Sequence, residues 1–366
     1  MTEQQPQRPW RIVVRRGVAG SRDALSEVAR WKTVEVDTLR LLAAGLSVAL
    51  PVAIGELAGN LGAGMTAALG ALLMSSSGQA GSARHRVVDL LNTLVVGFFG
   101  MLIGAWSAGL GAFASSVVIV AVASVAVVLG GIRGSAAKVT TLAIVFMIIG
   151  ASLGLHIETR SLATYSVLGG LGAAILTMLT FALTYHLLGK QAAAIPPSAP
   201  LADDLRQWAA RLKTVAGWHY PARLISSMIV AELIAHQLHG THSYWIVLTV
   251  ALVVQRDHTS ALTHSLQRGL GTALGVLLGG LFLASIPIWV LVLAIGLIAA
   301  SRPYLRAANY TAYAMVMTPL VAVFTGLGAT MTAGVLVERL LDTVIGCAIS
   351  LTVGYALWRW MGPDAA

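Results

Sequence analysis

Apolar runs of roughly 17–25 residues, each long enough to cross a ~30 Å hydrocarbon core, recur along nearly the whole chain. No other feature limits the fold as much. Backbone polar groups inside a bilayer must be bonded within the protein, so runs of this kind become helices packed on helices. Composition agrees: 57% of the residues are hydrophobic and 11% charged, against about 25% charged in a soluble domain. The 38 glycines point the same way, because Gly is commoner in membrane helices than in soluble ones.

The runs predict helices near 39–57, 62–77, 89–107, 109–129, 139–155 and 164–188. A second set is predicted near 222–240, 243–255, 266–284, 286–300, 310–328 and 331–358. The expected fold class is therefore all-α: a polytopic membrane protein of about twelve transmembrane helices. The N-terminal sequence, MTEQQPQRPWRIVVRRG, has no apolar core of signal-peptide length and is expected to be retained. Cys347 is the single cysteine and falls within a span, so no intrachain disulfide can form.

A net charge of +9 and a pI near 10.1 could suit nucleic acid, but the distribution of charge argues against it. If the N-terminus faces the cytoplasm, all but two of the 24 Lys and Arg residues fall on the cytoplasmic side. The exceptions are Arg160, in an outer loop, and Arg339, inside a span. This is the positive-inside pattern. It predicts an inner (plasma) membrane protein with both termini cytoplasmic, whose environment is the lipid bilayer and which binds no nucleic acid.

The chain divides into a basic N-terminal segment (1–38), a first six-helix block (39–188), a linker (189–221) and a second block (222–360). AIPPSAP in the linker cannot continue a helix. After it, Leu201, Leu205, Trp208, Leu212 and Val215 share one face, which suits either a helix lying in the cytoplasmic interface or a solvated connector. The two blocks read as a repeat: Arg40 falls against Arg223, Thr66 against Thr249, Thr93 against Thr272 and Gly100 against Gly279. Six spans is an even number, so both blocks enter from the same side as parallel repeats related by an axis along the membrane normal.

The second block carries a resemblance. YWIVLTVALVVQRDHTSALTHSLQRGLGTALGVLLGG, followed by ERLLDTVIG, resembles the fusaric acid resistance (FUSC) or aromatic acid exporter family, which is distantly similar to aluminium-activated malate channels. The matching residues are Tyr244, Trp245 and Thr249, then Arg268, Gly271, Thr272 and Gly275, then Arg339, Asp342 and Gly346. In the first block Asp89 and Asn92 stand where Arg268 and Gly271 do, and the last span lacks the Arg and Asp. The resemblance implies proton-powered efflux of small organic, chiefly aromatic, anions, with a periplasmic adaptor subunit as a partner. It leaves room for a homo-oligomer. A passive anion channel and a non-transporting membrane partner subunit are the alternatives. No GxxxxGK[ST] nucleotide loop occurs, and no enzymatic activity, cofactor or metal is expected.

ERLLDTVIG places Glu338, Arg339 and Asp342 inside a span. A span starting near 331 puts Arg339 ~12 Å deep and Asp342 ~16 Å deep. Spacings of three and four allow Asp342 to neighbour both other charges. One reading is an internal ion pair. The other makes Arg339 a contact for a substrate carboxylate, which a planar guanidinium grips through two parallel hydrogen bonds.

Glu232 sits at a similar depth, where a lone carboxyl is costly to ionise and suits a proton carrier, unless Arg339 pairs with it. His236, His239 and His242 follow toward the outer surface as a polar vestibule or proton relay, or less readily as metal ligands. Arg256, His258, Arg268 and Arg302 would ring the inner mouth as a basic funnel for anions, although topology alone also accounts for them. Gly271, Gly275 and Gly279 form a small-residue face for helix packing.

Overall fold

The computed structural model describes residues 26–35, 37–75, 77–78, 81–189, 200–238, 243–256, 261–282, 286–327 and 332–358. These fold as an all-helical protein. The helices are α1 (Thr38–Leu57), α2 (Leu61–Met74), α3 (Ala83–Ala108), α4 (Ala112–Leu129), α5 (Gly134–Leu153) and α6 (Thr159–Leu188). A short α7 (Leu201–Leu212) precedes α8 (Val215–Leu238), α9 (Tyr244–Val253), α10 (Ala261–Gly279), α11 (Ile288–Ala308), α12 (Tyr310–Thr325) and α13 (Ala333–Thr352).

Among the described residues, seven helices are long and apolar enough to cross a membrane: α1, α3, α4, α5, α6, α11 and α13. Three more, α2, α9 and α12, are apolar but shorter. Of the remaining three, α7 is a short polar linker helix, and α8 and α10 have polar interiors. α8 contains His219, Arg223, Ser226, Ser227 and Glu232, and α10 contains His264, Ser265, Gln267 and Arg268. The chain is a multi-pass membrane protein. Its outward faces are apolar, with Ile54, Val125, Leu277, Leu293 and Leu297 all 60% or more exposed. So many strongly exposed large apolar side chains suit a lipid environment.

Side-chain caps fix several helix starts. Asp37 accepts from Arg40 N at 3.2 Å, Asn60 from Ala63 N at 3.0 Å, and Asn309 from Ala312 N at 2.9 Å. Each satisfies a backbone donor that the first helical turn leaves unpaired.

Within α1–α6, α1 packs on α2 and α6, α3 on α5 and α6, and α4 on α5. Within α8–α13, α8 packs on α9, α10 on α12 and α13, α9 on α13, and α11 on α12. Between the groups, α1 meets α11, α4 meets α8, α5 meets α9 and α2 meets α12. The tightest approaches are glycine-lined. A Cβ on Gly104 or Gly150 would collide with the backbone of the facing helix in the α3–α5 pair, and one on Gly271 or Gly275 would do so in the α10–α12 pair. Close backbone approach through small residues is how membrane helices gain packing energy where lipid supplies no hydrophobic drive.

The linker helix α7 docks on the end of α4. Trp208 Nε1 donates to Val128 O at 2.9 Å, and Asp204 pairs with Arg133. On the same face as Trp208, Leu201 and Leu205 stay exposed.

Candidate functional site

α13 explains how ERLLDTVIG tolerates its charges. Val337, Leu341 and Val344 are each more than half exposed and form the outward stripe. Leu336, Arg339, Asp342, Thr343 and Gly346 are buried and face the protein, and Glu338 is half-buried between the two faces. The helical period therefore turns Arg339 and Asp342 away from lipid.

Arg339 is 1% exposed. Its guanidinium lies 4.7 Å from the ring centroid of Trp245, itself fully buried. The negative face of the indole stabilises the cation. Among the described residues, Nε and Nη1 have no hydrogen-bond partner. Asp342 acts on Arg339 through its charge, but among the described residues no ion pair joins them. Arg268 also acts on Arg339, as a like charge. A buried guanidinium with free donors and a cationic neighbour is an electrostatic environment for an anion.

Arg339 lines a cavity of about 550 Å³ that runs between α5 on one side and α9 and α12 on the other. Its lining spans Ala137 to Ile149 on α5 and Tyr310 to Val321 on α12, a length of about 16–18 Å at 1.5 Å per residue. Six cations line it: Lys138, Arg256, Arg268, Arg302, Arg306 and Arg339. Tyr220, Tyr310 and Tyr313 add aromatic faces with hydroxyls, and Leu142, Phe146, Leu248 and Met317 supply apolar wall. No carboxylate is among its described lining residues.

The cations are held in place. Arg256 Nη2 donates to Val127 O at 3.2 Å, and its guanidinium stacks 4.5 Å from the Tyr220 ring. Arg302 Nη1 donates to Ser75 Oγ at 2.9 Å, tying α11 to the end of α2. Arg306 lies 6.0 Å from the Tyr313 ring, and Lys138 Nζ lies 3.9 Å from Asp89 Oδ2. A smaller chamber of about 280 Å³ adjoins the cavity and shares Lys138, Arg302, Arg306 and Tyr313 with it.

Of the residues singled out in the sequence, Arg339, Arg268, Arg256 and Arg302 are brought together here. Asp342 and Glu338 stand beside Arg339 on α13 without lining the cavity. Glu232 lies elsewhere: it accepts from Ser116 Oγ at 2.8 Å across the α8–α4 contact, with exposed His236 one turn on. His239, His242 and His258 fall outside the described residues. Among the described residues, no group of three or more His, Cys, Asp or Glu could hold a metal ion.

Sequence reasoning did not assign Lys138, Arg306, Tyr220, Tyr310 and Tyr313 to a site. Tyr310 and Tyr313 carried a usable signal, because two aromatic hydroxyls three residues apart open an otherwise apolar span. Lys138 and Arg306 were hidden among the charges that topology already explains.

Fold and cavity together define a multi-pass helical membrane protein with a basic interior chamber. Residues 227–353 match the family described as fusaric acid resistance protein-like, so the resemblance carried by Tyr244, Trp245, Arg268, Arg339 and Asp342 holds for this part of the chain. The chain is 33% identical over 141 residues to the uncharacterized protein YhfK of Escherichia coli (strain K12), covering 38% of this chain and 20% of that one. It is 34% identical over 118 residues to an uncharacterized protein of Haemophilus influenzae, covering 31% of this chain and 16% of the other. The matches thus span a fifth or less of the length of these curated relatives. No solved structure matches the chain.

Proposed function

We propose that the protein exports small organic anions, aromatic carboxylates foremost, across the inner membrane. The observation that carries this reading is the cavity between α5 and α12, with six cations, three tyrosines and no carboxylate in its described lining. The aromatic body of a substrate would lie against the tyrosines and the apolar wall. Its carboxylate would reach Arg339, whose free Nε and Nη1 suit a two-bond grip. Cations nearer the mouth, such as Arg306 and Arg256, would raise the local anion concentration.

The same reading takes the chain as twelve spans in two parallel six-helix halves, 39–188 and 222–360, with both termini and the linker cytoplasmic. The packing supports it. The contacts α1–α2, α2–α6, α3–α5, α3–α6 and α4–α5 recur as α8–α9, α9–α13, α10–α12, α10–α13 and α11–α12. Contacts between the halves are matched too, α1–α11 by α8–α4 and α5–α9 by α12–α2. A periplasmic adaptor and self-association are compatible with this arrangement.

Glu232 is the carboxylate best placed to couple transport to protons, from the α8–α4 contact between the halves. A passive anion channel is the second reading. It is favoured by the absence of a carboxylate from the described cavity lining, since a coupled carrier needs a group that takes up and releases protons. Proteoliposomes loaded with a labelled aromatic acid separate the two. Accumulation against a gradient that collapses with the proton gradient supports the carrier, and unchanged downhill flux supports the channel.

A further inference from the structure

We propose that the smaller chamber is a second anion site, separate from the one at Arg339, and that it takes a dianionic oxyanion of phosphate type. Four cations from three helices converge on its 280 Å³: Arg40 on α1, Lys138 on α5, and Arg302 and Arg306 on α11. Ser75 and Tyr313 add hydroxyls. The cations lie close enough to act on one another: Arg306 acts on Arg40, Lys138 and Arg302 as a like charge. Nearby acids balance only part of this. Asp37 faces Arg40, and Asp89 lies 3.9 Å from Lys138. Among the described residues Arg302 and Arg306 make no ion pair, and Nε of the buried Arg302 has no hydrogen-bond partner.

Among the described residues, two cations are therefore left without acids, which matches the charge of a phosphate group. Positive-inside topology puts Lys and Arg at the cytoplasmic face, but it does not require them to crowd around one chamber against mutual repulsion. The lining also differs in kind from the large cavity. Among its described lining residues only Pro303 and Ala307 lack a polar side chain, so it has little wall for an aromatic ring. Because α1 and α5 belong to one half and α11 to the other, an anion bound here would bridge the halves near the mouth.

The test is binding of radiolabelled inorganic phosphate to the purified full-length chain in detergent, at constant ionic strength set with chloride. Saturable binding is expected. Removing one charged donor from an oxyanion site should weaken it about tenfold or more, so Lys138→Gln and Arg306→Gln should each do so while eluting as monodisperse protein. Arg339→Met should bind phosphate as the unaltered protein does. Absence of saturable binding would overturn the proposal. So would undiminished binding in both Lys138→Gln and Arg306→Gln, or loss of binding in Arg339→Met, which would make the two chambers one site.

The phosphate group could belong to a free ion or to a lipid headgroup, and a second arm separates these. If nanodiscs containing phosphatidic acid block phosphate binding and phosphatidylcholine nanodiscs do not, the headgroup is the occupant. Equal binding in both names the free ion, and either result supports the site. A protein that binds phosphate but moves no aromatic acid would refute the transport reading and leave this one standing.

Discussion

The guanidinium of Arg339 rests 4.7 Å from the ring of Trp245, and among the described residues no ion pair links it to Asp342 three residues along the same helix. Within the described structure, α13 thus holds its cation in the interior against an aromatic face. A desolvated cation–π contact is worth about 2 kcal/mol, less than the cost of burying a full charge, which leaves a strong attraction for an incoming anion.

Trp245→Phe should retain folding, because a ring face remains, with a loss of up to about 2 kcal/mol in stability. Thermal unfolding in detergent measures it. Trp245→Leu should lose more, since it removes the ring altogether and opens a void. Equal stability of Trp245→Leu and the unaltered protein would show that the indole does not hold Arg339.

Asp342→Asn should lower stability by clearly less than the loss of a buried ion pair with Arg339 would. Breaking a buried ion pair by removing one partner costs about 3–5 kcal/mol. A loss of that size on neutralising Asp342 would mean that the two charges pair in the membrane.

Gly275→Val should prevent accumulation of folded protein. A side chain there meets Met315 O and the Thr318 side chain, so α10 and α12 would have to separate. Leu277→Val, at a 73% exposed position two residues away on the outward side, should be tolerated. Membrane expression of the two variants, followed by size-exclusion elution, makes the comparison.

Much of the fold was legible because lipid leaves few alternatives. A run such as 243–255 had to be helical, and it became Tyr244–Val253. Boundaries failed where polar residues continue a helix beyond its apolar core. α5 begins at Gly134, ahead of the expected 139, and so carries Lys138 into the cavity. α8 begins at Val215 and runs through Pro221, which the sequence reading had placed in the linker. Tyr220 thereby comes to line the cavity. The position of Glu232 could not be read from the sequence. Its depth resembles that of Arg339, but which neighbour it faces is set by helix packing, and its partner is Ser116 on α4.

Topology is checked by reporter fusions. Alkaline phosphatase fused after 200 or at 366 should be inactive, and a cytoplasmic reporter at the same points active. Activity of alkaline phosphatase at either point would reverse the positive-inside reading.

Glu232→Gln should abolish uphill accumulation of a labelled aromatic acid while sparing downhill flux, because the amide can still accept from Ser116 but carries no proton. Accumulation as high as that of the unaltered protein would remove Glu232 from the coupling mechanism.

The most direct measurement is transport of labelled benzoate by proteoliposomes containing Arg339→Met combined with Asp342→Leu. Both charges are replaced by apolar side chains of similar size, so the variant should fold and insert. If Arg339 grips the substrate carboxylate, the variant should be inactive, and Arg339→Lys should transport weakly because it keeps the charge but loses the planar two-bond geometry. Transport by the folded double variant at the rate of the unaltered protein would contradict the account.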